Sequence, residues 1–122
     1  MKLSRLRGRK NNEYLLKNGN VWKGQTMIIR WLKGHPKNLP AAPARSLFYL
    51  GTFASSRLHA GAVQRNRMRR RCREALRITL AGHPEMSTVQ ALLTPKIQSL
   101  SCDFDLIVRD VTAFLALLER SA

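Results

Sequence analysis

Acidic residues are scarce in this sequence: 7 Asp and Glu stand against 22 Lys and Arg in 122 residues, a formal charge of +15. That imbalance disfavours cationic partners and points to a polyanion, nucleic acid before an anionic membrane. Cysteine is nearly missing as well. Cys72 and Cys102 are the only two and lie far apart, which excludes a disulfide framework and a zinc finger. A reducing, cytoplasmic setting is expected, with both thiols acting as small apolar groups. No apolar run approaches the roughly 18 residues of a membrane span, so no membrane partner is expected. The stretch Met1-Lys2-Leu3-Ser4-Arg5-Leu6-Arg7 is basic with no apolar segment behind it, so it is not expected to act as a secretory signal.

What is present suffices for a core. The hydrophobic fraction is 44%, ordinary for a folded domain, and the length suits one domain. The expectation is a single RNA-binding domain over 1–122 with a basic N-terminal extension at about 1–9. Charge is unevenly placed: residues 1–77 hold 19 Lys and Arg against Glu13 and Glu74, net +17, whereas residues 78–122 hold three against five, net −2. The partner should meet the first two thirds of the chain.

Residues 11–19 read as a short helix, with an Asn cap, Glu13 at the positive end of the dipole and Gly19 as a left-handed stop. Tyr14, Leu15 and Leu16 would supply its buried stripe. Val21 to Gln25 leads into 26–32, a β-branched and aromatic strand bounded by Gly24 and Gly34. Three prolines make 34–43 a loop, and 46–54 a second strand able to pair antiparallel with the first. From 61 to about 80 the period turns helical: Val63, Met68, Cys72, Ala75, Leu76 and Leu80 form one apolar stripe. Gly82-His83-Pro84 ends that helix. A short extra helix is expected at 86–93, stopped by Pro95, then a last strand at 103–109 and a last helix at 111–119. The order α-β-β-β-α-β-α makes an α+β fold, a small sandwich of one mixed sheet of about four strands packed by helices.

The 61–80 helix carries the chemistry. Between Arg57 and Arg77, eight basic residues (Arg57, just before the helix, then Arg65, Arg67, Arg69, Arg70, Arg71, Arg73 and Arg77) accompany a single acid, Glu74, which fits an ion pair with an arginine one turn away. Arginine is always charged and its planar fork grips phosphate oxygens in pairs. Asn66, between two arginines, can donate to and accept from a base edge or a 2′-hydroxyl. By charge alone such a helix also suits a solvated face, a membrane surface or a calmodulin-type segment.

The run Arg65-Asn66-Arg67-Met68-Arg69-Arg70-Arg71-Cys72-Arg73-Glu74-Ala75-Leu76-Arg77 resembles, in register, the signature of the bacterial ribonuclease P protein family. Arg5-Leu6-Arg7 before the first helix, the strand end Gly51-Thr52-Phe53-Ala54-Ser55-Ser56-Arg57 and the segment 103–109 resemble the family's flanking features. The resemblance implies a ribonuclease P protein-like fold. It also implies a subunit of an RNA-based endoribonuclease that removes the 5′ leader from precursor tRNA, with catalytic groups and Mg²⁺ on the RNA and no cofactor bound by a protein motif. Its implied partners are the catalytic ribonuclease P RNA and precursor tRNA; no protein partner is indicated. Carried over by position, Arg57, Arg65, Asn66, Arg67, Arg69, Arg70, Arg71, Arg73 and Arg77 bind RNA. Asn12, Leu16, Arg30, Trp31 and Ser55 line a leader cleft.

The chain departs from the family where the cleft's aromatics are expected: Asn12 and Leu16 replace two on the first helix, and Arg30 replaces a strand Tyr. Each loss removes a base-stacking platform worth ~1–3 kcal/mol, unless Tyr14 or Trp31 takes its place. Asp103 and Asp105 would share a strand face, but no third ligand is nearby, so no metal or catalytic residue is expected on the protein. His35, His59 and His83 are scattered in loop-like sequence. A self-contained nuclease would need a carboxylate or histidine cluster among the basic residues, where Glu13 and Glu74 are the only acids. The alternative class is a ribosomal-type structural RNA-binding protein with no role in cleavage.

Overall fold

Met27, Ile29 and Trp31 are buried, while Ile28, Arg30 and Leu32 between them are half-buried, the period-2 signature of a strand with unequal faces. A computed structural model, which describes residues 1–36 and 45–120, builds this strand into one mixed sheet. Its elements are β1 (Lys2–Arg5), α1 (Arg9–Asn18), β2 (Asn20–Lys23), β3 (Met27–Lys33), β4 (Leu47–Thr52), α2 (Ala62–Ala81), β5 (Val89–Pro95), a 3₁₀ turn (Ile97–Leu100) and α3 (Phe104–Arg120). The sheet order is β1-β4-β5-β3-β2. β5 runs parallel to β4 and antiparallel to β3.

The expected α+β sandwich stands, with five strands instead of about four, and several placements change. Residues 86–93 do not form a helix: 89–95 is β5, the central strand. Sandwiched between two neighbours and covered on both faces, it reads as a nearly continuous apolar run without alternation. Residues 103–109 are not a strand but mostly the first turns of α3. Phe104, Ile107 and Val108 favour strands locally, yet the buried set Ile107, Asp110, Val111, Phe114, Leu115 and Leu118 repeats at helical spacing across the whole segment. The strands at 26–32 and 46–54 do not pair, because β5 lies between them. Part of the segment read as an extension is β1, which pairs parallel with β4. The expected loop at 34–43 falls largely outside the described residues.

α2 and α3 cover one face of the sheet. The main core sits there, with Phe48, Leu76, Leu93, Ile107 and Phe114 among its members. Asp110 of α3 fastens the β2–β3 turn, accepting hydrogen bonds from Thr26 N at 2.7 Å and Thr26 Oγ1 at 2.5 Å. α1 lies on the other face, over a smaller cluster of Leu6, Leu15, Tyr49 and Leu92. Of its expected stripe only Leu15 is buried; Tyr14 and Leu16 emerge on opposite flanks. No Asn caps α1: Gly8, at φ 95°, precedes it, while Gly19 is extended at φ −69°. Gly19 is required for space instead, since a Cβ there would lie 2.6 Å from Leu15 O and 3.2 Å from Trp31 N.

Candidate nucleic-acid interface

α2 buries Met68, Cys72, Ala75, Leu76 and Leu80 as the stripe requires, whereas Val63, in its first turn, is 76% exposed. With that side packed, the arginines crowd the remaining surface, and they divide by what they touch. Arg57, Arg70 and Arg73 are exposed and have no polar partner among the described residues. Arg69 donates to Asn66 Oδ1 on the same helix, so that amide keeps its Nδ2 donors for a ligand. Arg77 forks onto Glu74 at 2.9 and 2.5 Å, and this hydrogen bonding holds the exposed Glu74 carboxyl below the usual carboxylate range.

The other three grip backbone. Arg65 Nη1 donates to His59 O and Ala60 O, both at 2.9 Å, tying down the link into α2. Arg67 Nε donates to Leu100 O at 3.1 Å. Arg71 engages Ser99 O at 2.7 Å and Cys102 O at 2.6 Å through its two terminal nitrogens. The Arg67 and Arg71 contacts cross from α2 to the 3₁₀ turn and the residues just after it, which no sequence pattern of α2 alone discloses.

The second half of the site is the open side of the sheet beside α1. Register places two cross-strand rows there: Val21, Arg30, Leu92 and Gly51, then Lys23, Ile28 and Thr94. α1 crosses this face from β4, where a Cβ on Gly51 would lie 2.9 Å from Asn12 Oδ1, to β3, where one on Gly19 would lie 3.3 Å from Arg30 Cβ. Asn12 and Leu16, four apart, line the flank of α1 that bounds these rows. Asn12 Oδ1 and Thr94 Oγ1 are buried with no hydrogen-bond partner among the described residues; such groups call for an explanation, and a ligand's polar atoms are one. At the mouth, Arg5, Arg7 and Arg9 surround a recess of about 500 Å³ with Gly8 and Asn12.

Of the expected cleft residues, Asn12, Leu16 and Arg30 are therefore brought together, and Ser55 lies in the turn just beyond β4. Trp31 does not join them. It is 8% exposed and its ring packs 6.3 Å from Phe114, on the opposite face of the sheet from Arg30; adjacent strand residues point to opposite faces. Phe53 was not among the candidates: it is 49% exposed, one residue past β4, with its N–H still bonded to Leu93 O at 3.0 Å. Strand parity was the available signal, because buried Phe48 faces the helices and Phe53 is five residues on. Among the described residues, no three of His, Cys, Asp or Glu come together as metal ligands, and no helix is long and apolar enough to cross a membrane.

The architecture is that of a ribonuclease P protein-like sandwich. The structure matches that of the Staphylococcus aureus RNase P protein with a TM-score of 0.68 over 93% of each chain, at 17% identity. It matches the RNase P protein from Thermotoga maritima with a TM-score of 0.69 over 96% of each, at 20% identity. The ribonuclease P family model covers residues 1–119 of the sequence. The ribonuclease P protein component of Chloroflexus aurantiacus is 38% identical over 97 residues, which is 76% of this chain and 64% of that protein. The chain belongs to the ribonuclease P protein family, and it spans less than two thirds of that relative's length.

Proposed function

We propose that this protein is the RNA-binding subunit of ribonuclease P, docking on the catalytic RNA through α2 and holding the 5′ leader of precursor tRNA in the cleft between α1 and the sheet. The observation that carries the reading is the 65–77 register: its apolar members pack inward and it leaves Arg70 and Arg73 exposed, with no polar partner among the described residues. Such guanidinium groups repel one another in the free protein, and an RNA that neutralises them also releases its condensed counterions. The cleft suits an unpaired strand. Lys23 and Arg30 supply charge, Phe53 an exposed ring for stacking, and Asn12 and Thr94 unsatisfied polar atoms on its walls.

Catalysis is assigned to the RNA together with its magnesium ions, and the protein's part is to bind and orient. In the test, the protein is mixed with a bacterial ribonuclease P RNA and precursor tRNA at low Mg²⁺. Stimulated 5′ maturation is expected. Cleavage by rigorously RNA-free protein would overturn the division of labour, and absence of any stimulation would overturn the assignment.

A further inference from the structure

The flank of α1 that faces away from the cleft carries a second recess, of about 510 Å³, between Lys10 and Tyr14 on the helix and Leu32, Lys33 and His35 at the end of β3. Its floor includes Gln90 of the central strand, 7% exposed. The volume falls within the range of about 300–1,000 Å³ typical of small-molecule sites. Leu15 beneath the helix separates the two recesses: Asn12 and Leu16 project on one side, Lys10 and Tyr14 on the other.

The lining is chemically mixed in a particular way. Two lysines and no acid favour an anion. Tyr14, 40% exposed, and the imidazole of His35 supply flat faces. His35 is held in place by Tyr49, with Nδ1 3.2 Å from the phenol oxygen and ring centroids 5.8 Å apart. Gln90 brings an amide that can both donate and accept, as base edges require. A bare phosphate would use the lysines but neither the rings nor the amide, whereas a nucleotide uses all three.

We propose that this recess is a second nucleotide site, taking one unpaired ribonucleotide with its base against Tyr14 and His35 and its phosphate between Lys10 and Lys33. The site is independent of arginine-helix docking, so it stands or falls apart from the ribonuclease P assignment. The test titrates the full-length protein with adenosine 5′-monophosphate, a short oligoadenylate and inorganic phosphate while recording amide NMR shifts. Both adenine probes should move residues 10–14, 32–35 and 90 saturably. Tighter oligoadenylate binding would mark a strand as the natural occupant, and equal binding a free nucleotide; either supports the site. Tyr14→Ala should weaken binding about 5- to 150-fold, as expected for loss of one stacked base, and Tyr14→Phe should retain it. Because Tyr14 is partly exposed, backbone spectra of both variants report folding directly. The proposal is overturned by equal affinity for inorganic phosphate, by unchanged affinity in Tyr14→Ala, or by shifts confined to residues 12, 16 and 30.

Discussion

Arg70 and Arg71 are adjacent in the chain, yet only Arg71 commits its fork to the protein's own carbonyls, those of Ser99 and Cys102. Arg71→Ala should therefore lower unfolding free energy by about 1.5–3 kcal/mol, the range for hydrogen bonds to a charged group, read from urea titrations. Arg70→Ala should stay within about 0.5 kcal/mol of the parent, as surface changes do, while weakening RNA binding. Equal stability losses in the two would refute the distinction. Beneath them, burial pushes the Cys72 thiol from its usual 9.0 up to about 12. The unfolded thiol ionises first, so the folded state loses stability as pH rises from about 9 to 12, by about 1.4 kcal/mol per unit from this group. Below pH 9 the contribution is whole. Cys72→Ala should remove that share of the alkaline decline, measured as the difference in slope between the two proteins from pH 9 to 11. Identical slopes would show that the thiol titrates alike in both states.

α2 was legible because it lies at the surface: one side packs and the other meets solvent, so the 3.6-residue period survives in the residue types. β5 and α3 were not. β5 is covered on both faces, which removes alternation, and α3 begins with Phe104, Leu106, Ile107 and Val108, whose local strand preference is overridden by packing on α2. The common face of Asn12, Leu16 and Arg30 was legible because positions on α1 and β3 match one by one; strand parity is the signal that puts Trp31 in the core and Phe53 on that face. β1 left little trace in four residues, and only the parallel partner β4 defines it. At this scale Gly19 is the sensitive point. Gly19→Ala would drive a methyl group into Leu15 O and Trp31 N, and neither backbone atom can rotate away. A loss of about 1–3 kcal/mol is expected, with α1 displaced from β3. Thermal unfolding gives the first quantity. A lowered affinity for a single-stranded leader, with catalytic-RNA binding intact, gives the second; parent-like values of both would contradict the close approach.

Across the molecule the surplus charge is divided between two kinds of work. Arg65, Arg67 and Arg71 lie on backbone carbonyls of the link and the 3₁₀ turn, so part of a surface that reads as wholly RNA-facing holds the fold together. Arg57, Arg70 and Arg73 carry no such duty among the described residues. The two groups separate in a salt titration. Each phosphate neutralised contributes about 0.9 to the slope of log affinity against log salt. Replacing Arg57, Arg70 and Arg73 together with Ala should thus flatten the slope for catalytic-RNA binding by about 2.7 while leaving unfolding curves nearly in place. Replacing Arg65, Arg67 and Arg71 should shift the unfolding midpoint as well as the affinity. Filter-binding titrations from 50 to 200 mM salt beside urea melts would decide it, because a protein whose arginines all serve RNA alone would show equal slope losses and no stability change in either triple variant.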